Sequence, residues 1–296
     1  MTGAGSSESI PALTPLDHRL PSALLLLLAL GACGGETPPP ATAPASPGAQ
    51  AAVAAVPSAG TEQHLKTLEV SPDLRAIVDA PDRDPADKKL DAGRKPGELL
   101  AFLGARPGMK VAEIGAGGGY SAELLARAVG PTGVVYGQNT AMILEKFAEK
   151  PWAARLAKPG NKNIVKVVRE FEDPLPPEAK DLDLVLINLF YHDTVWMKVD
   201  PAKMNGAIFR ALKPGGVYVV LDHTARAGTG KTEVQTNHRI EESIVRQEIT
   251  AARFKLGADA DFLRNPDDKR DWSTSPGVAG EKRGTSDRFA LRFVKP

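Results

Sequence analysis

Cysteine is nearly missing from this chain. Its 296 residues hold one, Cys33, which excludes an intrachain disulfide and any zinc centre built from cysteines. An excess of one charge sign is missing too. The 37 Lys and Arg stand against 36 Asp and Glu, a formal +1, so no broad electrostatic footprint for nucleic acid exists, and DNA and RNA are set aside as partners. Nor is there an apolar run long enough for a membrane helix: residues 23–32 fall far short of the ~20 residues that cross a bilayer. A hydrophobic content of 42% is ordinary and suits one catalytic domain with an appendage.

That short apolar run follows Arg19 and ends in Leu30-Gly31-Ala32-Cys33, a layout suited to the h-region of an export signal. It resembles a bacterial lipoprotein signal with its lipobox. The resemblance implies cleavage before Cys33, lipid modification of that cysteine and attachment to a membrane. Residues 34–60 are almost entirely Ala, Pro, Gly, Ser and Thr, too poor in large apolar side chains to offset the entropy of ordering. The expected organisation is therefore a signal peptide over 1–32, a disordered tether over 33–60 and a catalytic domain over 61–296. Localisation follows as a lipoprotein of the cell envelope, on the periplasmic face in a host with two membranes.

The chemistry centres on Glu113-Ile114-Gly115-Ala116-Gly117-Gly118-Gly119-Tyr120. An apolar strand followed by glycines at alternate positions predicts strand, tight turn and helix. Gly115, Gly117 and Gly119 free the turn of Cβ atoms, so a ligand can lie against the backbone and meet the free N–H groups of the helix that follows. A nicotinamide fingerprint needs a third small residue where Tyr120 stands, which weakens the dinucleotide reading. The spacing E-x-G-x-G-x-G is similar to the first motif of class I S-adenosylmethionine-dependent methyltransferases.

Further strands are expected at 133–136, 163–168 and 182–189, the last a nearly unbroken Leu, Val and Ile run as in central parallel strands. In an open parallel sheet their carboxyl ends face the ligand crevice. Residues there are Gln138 and Asn139, then Glu170 and Phe171, then Asn188, Tyr191, His192 and Asp193. Leu212-Lys213-Pro214-Gly215-Gly216 leads into a fifth strand, 217–221, which ends in Asp222-His223. Alternating apolar residues at 254–258 and 289–293 predict a final antiparallel pair. A short helix is expected near Thr61, a helix over 98–103 that caps the cofactor, and a polar lid loop over 265–287.

From about Pro96 onward the order of motifs resembles a class I methyltransferase, closest to bacterial proteins called simply predicted methyltransferases, many of them exported. The features shared with that group are Tyr191-His192-Asp193, Asp222-His223, His238-Arg239-Ile240 and Asp287-Arg288-Phe289. The implied fold is a doubly wound, mostly parallel seven-stranded α/β sheet with an antiparallel C-terminal strand. The implied cofactor is S-adenosyl-L-methionine, held by Glu113, Gly115, Ala116, Gly117, Gly119, Tyr120 and Asn188. Asn139 stands where the family usually has an acid for the ribose, Glu170 would accept from the adenine amino group, and Phe171 would lie beside the ring. The partner is an unidentified methyl acceptor.

Methyl transfer from a sulfonium is an in-line displacement, so alignment is the main task, with a base for an acceptor that carries a proton. His192 and His223 are the candidate bases, Asp193 and Asp222 their orienters, and Tyr191 belongs to the same loop. His238 and Arg239 suit an anionic acceptor. No metal is assigned, although Asn188 or Asp193 with Asp222 and His223 would be the ligands of a metal-dependent variant. The rival reading is a lipid-anchored binding module that keeps the fold without turnover; hydride transfer stands third, discounted by Tyr120.

Overall fold

The computed structural model describes residues 62–296. The expected signal peptide, Cys33 and the tether lie outside the described residues. Among those residues, no helix is long and apolar enough to cross a membrane.

The chain opens with β1 (Gln63–Leu65), then α1 (Pro72–Asp79), α2 (Pro85–Arg94) and α3 (Pro96–Leu103). It continues through β2 (Lys110–Ile114), α4 (Tyr120–Val129) and β3 (Val134–Asn139). Next, α5 (Ala141–Ile143) runs through a π-helical turn into α6 (Glu149–Leu156), followed by β4 (Ile164–Val168), β5 (Leu182–Asn188), α7 (Tyr191–Trp196) and α8 (Pro201–Ala211). The fold closes with β6 (Leu212–His223), α9 (Glu242–Ala251), β7 (Lys255–Ala260) and β8 (Arg288–Val294).

Eight strands form one sheet in the order β1-β7-β8-β6-β5-β2-β3-β4. Among them β8 alone runs antiparallel, against both β6 and β7. The doubly wound expectation holds, with one strand more than the seven expected. The added strand, β1, pairs parallel with β7 at the sheet edge and stands where a short helix was expected. Three residues, Gln63-His64-Leu65, carry no alternation from which pairing could be read; the edge of β7 supplies their partners.

Central strands are apolar because helices cover both faces. Val111, Leu184, Leu186 and Val219 pack into one core with α3 and α4, while Ala112, Val185, Ile187 and Val220 pack into a second with α8 and α9. The helix expected to cap the ligand, α3, is instead buried in the first core through Leu99, Leu100, Phe102 and Leu103. Its neighbour α2 takes the capping position. Asp84 as N-cap, accepting from the Ala86 N–H, and Pro85 at the first turn start α2.

Two glycines make room for one indole. A Cβ at Gly119 would lie 2.5 Å from Trp152, and one at Gly137 would lie 2.4 Å from it. The fully buried Trp152 of α6 therefore fills the space beside the glycine turn and β3.

The strand order reverses between β2 and β5, where β3 continues on one side and β6 on the other. The crevice at the carboxyl edge of such a sheet lies at this switch point. Register brings Ile114 beside both Gln138 and Ile187, and Asn188 beside Leu221. The ends of β2, β3, β5 and β6 thus share one edge.

Candidate active site

A cavity of about 870 Å³ opens at that edge, within the range of roughly 300–1,000 Å³ typical of small-molecule sites. Its floor includes Glu113, Gly115, Ala116, Gly117 and Tyr120, and its far side His192, Asp193, His223 and His238. The 265–287 loop, expected as part of a lid, contributes Trp272, Thr274 and Ser286 to the wall.

The glycine turn is pinned from β3. The Gly115 N–H donates to Gln138 Oε1 at 3.0 Å and the Gly117 N–H to Asn139 Oδ1 at 2.8 Å. Asn139 Nδ2 returns a bond to the Gly117 carbonyl at 3.2 Å, and Gln138 Nε2 donates to the Arg169 carbonyl. Gly115 and Gly117 have φ of 69° and 54°, left-handed values that favour glycine. A Cβ on Gly117 would meet nothing within 4 Å. Open space therefore lies directly above the turn.

Glu113 lies under this space at 3% exposure, and its Oε2 has no hydrogen-bond partner among the described residues. Burial pushes its carboxyl up to about 8, while Ser121 and the Ala122 backbone pull less strongly the other way. An orphaned buried acceptor facing a cavity is a place for a donor or a cation.

On the opposite wall, β5 and β6 each deliver a histidine. Asp222, fully buried, accepts from the His192 backbone N–H and from His192 Nδ1, both at 2.7 Å, and from the His223 N–H. His192 thereby presents Nε2 to Asp193 Oδ1 at 3.3 Å, and His238 Nδ1 approaches the same oxygen at 3.5 Å. Burial opposes a charge on His192, but the Asp222 and Asp193 carboxylates outweigh it and raise its pKa above the ordinary value. His223 Nδ1 meets Ser286 Oγ at 2.8 Å.

Six other expected site residues do not line the cavity. Asn139 is fully buried with both amide atoms on Gly117, so it does not line the cavity. Glu170 is exposed beyond β4, and Phe171 is buried against Phe190 at 5.3 Å between ring centres. Tyr191 points into the second core, where its hydroxyl donates to Glu248 and accepts from Asn205. Arg239 is fully buried, paired with Asp268 and bonded to the carbonyls of Thr224 and Trp272. Asp222 acts through His192 and does not itself line the cavity. Asn188 does line it, with Nδ2 donating to Ser121 Oγ at 2.8 Å.

Sequence reasoning missed a basic wall. Arg94 of α2 sits 4.3 Å from the Tyr120 ring centre, and Arg283 and Arg288 line the same cavity. No carboxylate among the described residues lies within 4.0 Å of their guanidinium nitrogens. Burial, and then the neighbouring Arg94, push Arg288 down to about 10. The Asp287-Arg288-Phe289 segment was in view, but nothing local aimed Arg288 at the crevice.

Comparison with known proteins matches residues 105–263, over half of the chain, to a family described as a methyltransferase domain. No curated protein matches. Among solved structures, a SAM-dependent methyltransferase from Aquifex aeolicus is 19% identical over 76% of this chain and 100% of its own, with a TM-score of 0.50. A SAM-dependent methyltransferase from Mesorhizobium loti is 18% identical over 69% of this chain and 99% of its own, with a TM-score of 0.48. The first of these likenesses shows the fold. The chain belongs to the methyltransferase-domain family.

The residues present fit S-adenosyl-L-methionine, the expected cofactor, at three points: the clear space over Gly117, the unpartnered Oε2 of Glu113 and the N-terminus of α4. One contact usual in such sites has no counterpart, because the neutral Asn139 holds the turn.

Proposed function

We propose that the chain transfers a methyl group from S-adenosyl-L-methionine to a small anionic acceptor. The observation that carries this reading is the set Arg94, Arg283 and Arg288, without a carboxylate partner among the described residues, lining the cavity that also holds the glycine turn and the histidines; Arg288 bonds only the carbonyls of Ser286 and Gly284. The cofactor supplies an electrophilic methyl on a sulfonium, together with one carboxylate. Three guanidinium groups leave positive charge for an anionic acceptor. His238 lines the same cavity.

In this reading the protein mainly positions the reactants. Glu113 and the backbone of 115–119 hold the cofactor end, while His192, oriented by Asp222, and the Asp193–His238 pair face the acceptor. His223, or His192 through Nε2 where no ion occupies that atom, accepts the proton of an acceptor that carries one. Tyr191 supports the loop from behind. Phe171 supports Phe190, and neither Asn139 nor Glu170 is assigned a contact with the cofactor.

The resemblance to exported bacterial predicted methyltransferases supports placing the chain among lipoproteins, anchored to a membrane of the cell envelope through Cys33 with a tether over 33–60. The absence of a ribose acid favours a second reading, a lipid-anchored binding module of the same fold.

The test is calorimetric titration of S-adenosyl-L-methionine, and separately of S-adenosylhomocysteine, into the full chain. Saturable binding is expected, and Gly117→Arg abolishes it by filling the open space at that position; its φ of 54° makes any side chain there strained, so circular dichroism accompanies the titration to show that the variant is folded. Absence of binding by the folded wild-type chain would overturn the methyl-transfer reading. With the product-bound protein, carboxylate- and phosphate-bearing small molecules are expected to bind more tightly than neutral analogues, and Arg283→Ala to reduce that preference.

A further inference from the structure

We propose that His192, Asp193 and His238 form a binding site for a divalent transition-metal ion at the acceptor side of the cavity. One donor atom from each residue falls within 4.8 Å of the others. His192 Nε2 and His238 Nδ1 converge on a single oxygen, Asp193 Oδ1, at 3.3 and 3.5 Å. Both distances exceed the roughly 2.7–3.2 Å of ordinary N–H···O bonds. They match the separation of about 3.3–3.6 Å between two ligands that each stand ~2.0–2.2 Å from a tetrahedral zinc ion.

The surroundings are built as metal ligands require. A ligating imidazole usually gives its other nitrogen to a carboxylate, which fixes tautomer and ring plane. Asp222 does this for His192 through Nδ1, and its second oxygen holds the His192 backbone N–H. Trp196 Nε1 donates to Asp193 Oδ1 at 2.7 Å and orients that carboxylate. His238 holds a left-handed φ of 49°, a strained backbone for a residue with a Cβ. Thr274 Oγ1 donates to its carbonyl at 2.7 Å and so holds that backbone.

Three protein ligands leave further coordination positions open toward the cavity, the arrangement of catalytic rather than structural sites. Two imidazoles and one carboxylate select zinc, iron or a similar ion over magnesium or calcium. The ligand set differs from the oxygen-rich one that the sequence suggested: Asp222 is buried beneath His192, and Asn188 donates to Ser121. The ion's role would be to bind an anionic oxygen of the acceptor as a Lewis acid. That role rests on the methyl-transfer reading; binding of the ion does not.

The full chain, stripped with a chelator and dialysed, is titrated with Zn²⁺ in the absence of cofactor, and with Co²⁺ to read coordination from visible absorption. One equivalent is expected to bind, and Cys33→Ser to leave this unchanged. Asp193→Asn and His238→Ala each weaken Zn²⁺ by about 100-fold or more, and Asp222→Asn, which alters a positioning residue, by roughly 10- to 100-fold. His238 is partly exposed, so its variant remains folded even if changes at the buried His192 do not. No stoichiometric binding, or unchanged affinity in both ligand variants, would overturn the site. Zn²⁺ binding without S-adenosyl-L-methionine binding would leave the metal site standing and remove the methyl-transfer reading.

Discussion

Asn139 grips Gly117 with both ends of its side-chain amide. Its oxygen accepts from the Gly117 N–H at 2.8 Å and its nitrogen donates to the Gly117 carbonyl at 3.2 Å. A carboxylate at this position could accept from the N–H but could not donate to the carbonyl. The neutral residue thus fixes both polar groups of the glycine over which the cavity opens.

Asn139→Ala leaves these backbone groups without their partner at a buried position. A loss of about 1–3 kcal/mol in stability is expected, together with weaker cofactor binding because the turn is no longer held. Asn139→Asp keeps the acceptor, loses the donor and buries a charge, so it is expected to be no better than Ala for stability. Urea denaturation and calorimetric titration read the two effects. Unchanged values in both variants would show that the turn holds its shape without Asn139.

Glu113 connects cofactor binding to pH. With its carboxyl near 8 in the folded protein, it is mostly protonated at pH 7. Pairing with a cationic ligand group requires the carboxylate, so binding at pH 7 is expected to release close to one proton. The release declines as pH rises through about 8. Calorimetry in buffers of different ionisation enthalpy measures it, and Glu113→Gln removes it. The same raised pKa makes a stability prediction. Between the unfolded value near 4.5 and about 8 the unfolded chain loses this proton first, so wild type loses stability across that window as pH rises. Glu113→Gln lacks this slope and gains on wild type over the same interval while losing cofactor affinity.

Tyr191→Phe separates the loop's structural part from its chemical part. The hydroxyl donates to Glu248 and accepts from Asn205 in the second core, so its removal is expected to lower stability by about 1–2 kcal/mol. The dissociation constant for S-adenosyl-L-methionine should hold. A large loss of binding with unchanged stability would place Tyr191 in the site instead.

The alternate glycines of 115–119 and the apolar run of β5 were legible because each is a local property, whereas Leu212-Lys213-Pro214-Gly215-Gly216, expected as a turn before the fifth strand, forms the irregular start of β6. A tight turn needs residues without Cβ, and a strand covered on both faces needs uninterrupted apolar side chains. From them the α/β class and the crevice edge follow. Strand β1 and helix α2 were not legible. Pairing at the sheet edge selects the first, while α2 owes its position to contacts far away in the chain, such as Asp91 with the Tyr120 hydroxyl.

Sequence alone therefore determined which strand ends carry polar residues, since position after an apolar strand is a matter of order along the chain. Tertiary structure decided which of those residues face the ligand. His192 and Asp193 are successive to Tyr191, yet the first two reach the cavity and the tyrosine enters the core, because the start of α7 turns them to different sides. His238 joins them from some 45 residues further on, and Arg288 from the final strand. Convergence of such distant groups depends on sheet register and loop packing, and no spacing in the sequence encodes it.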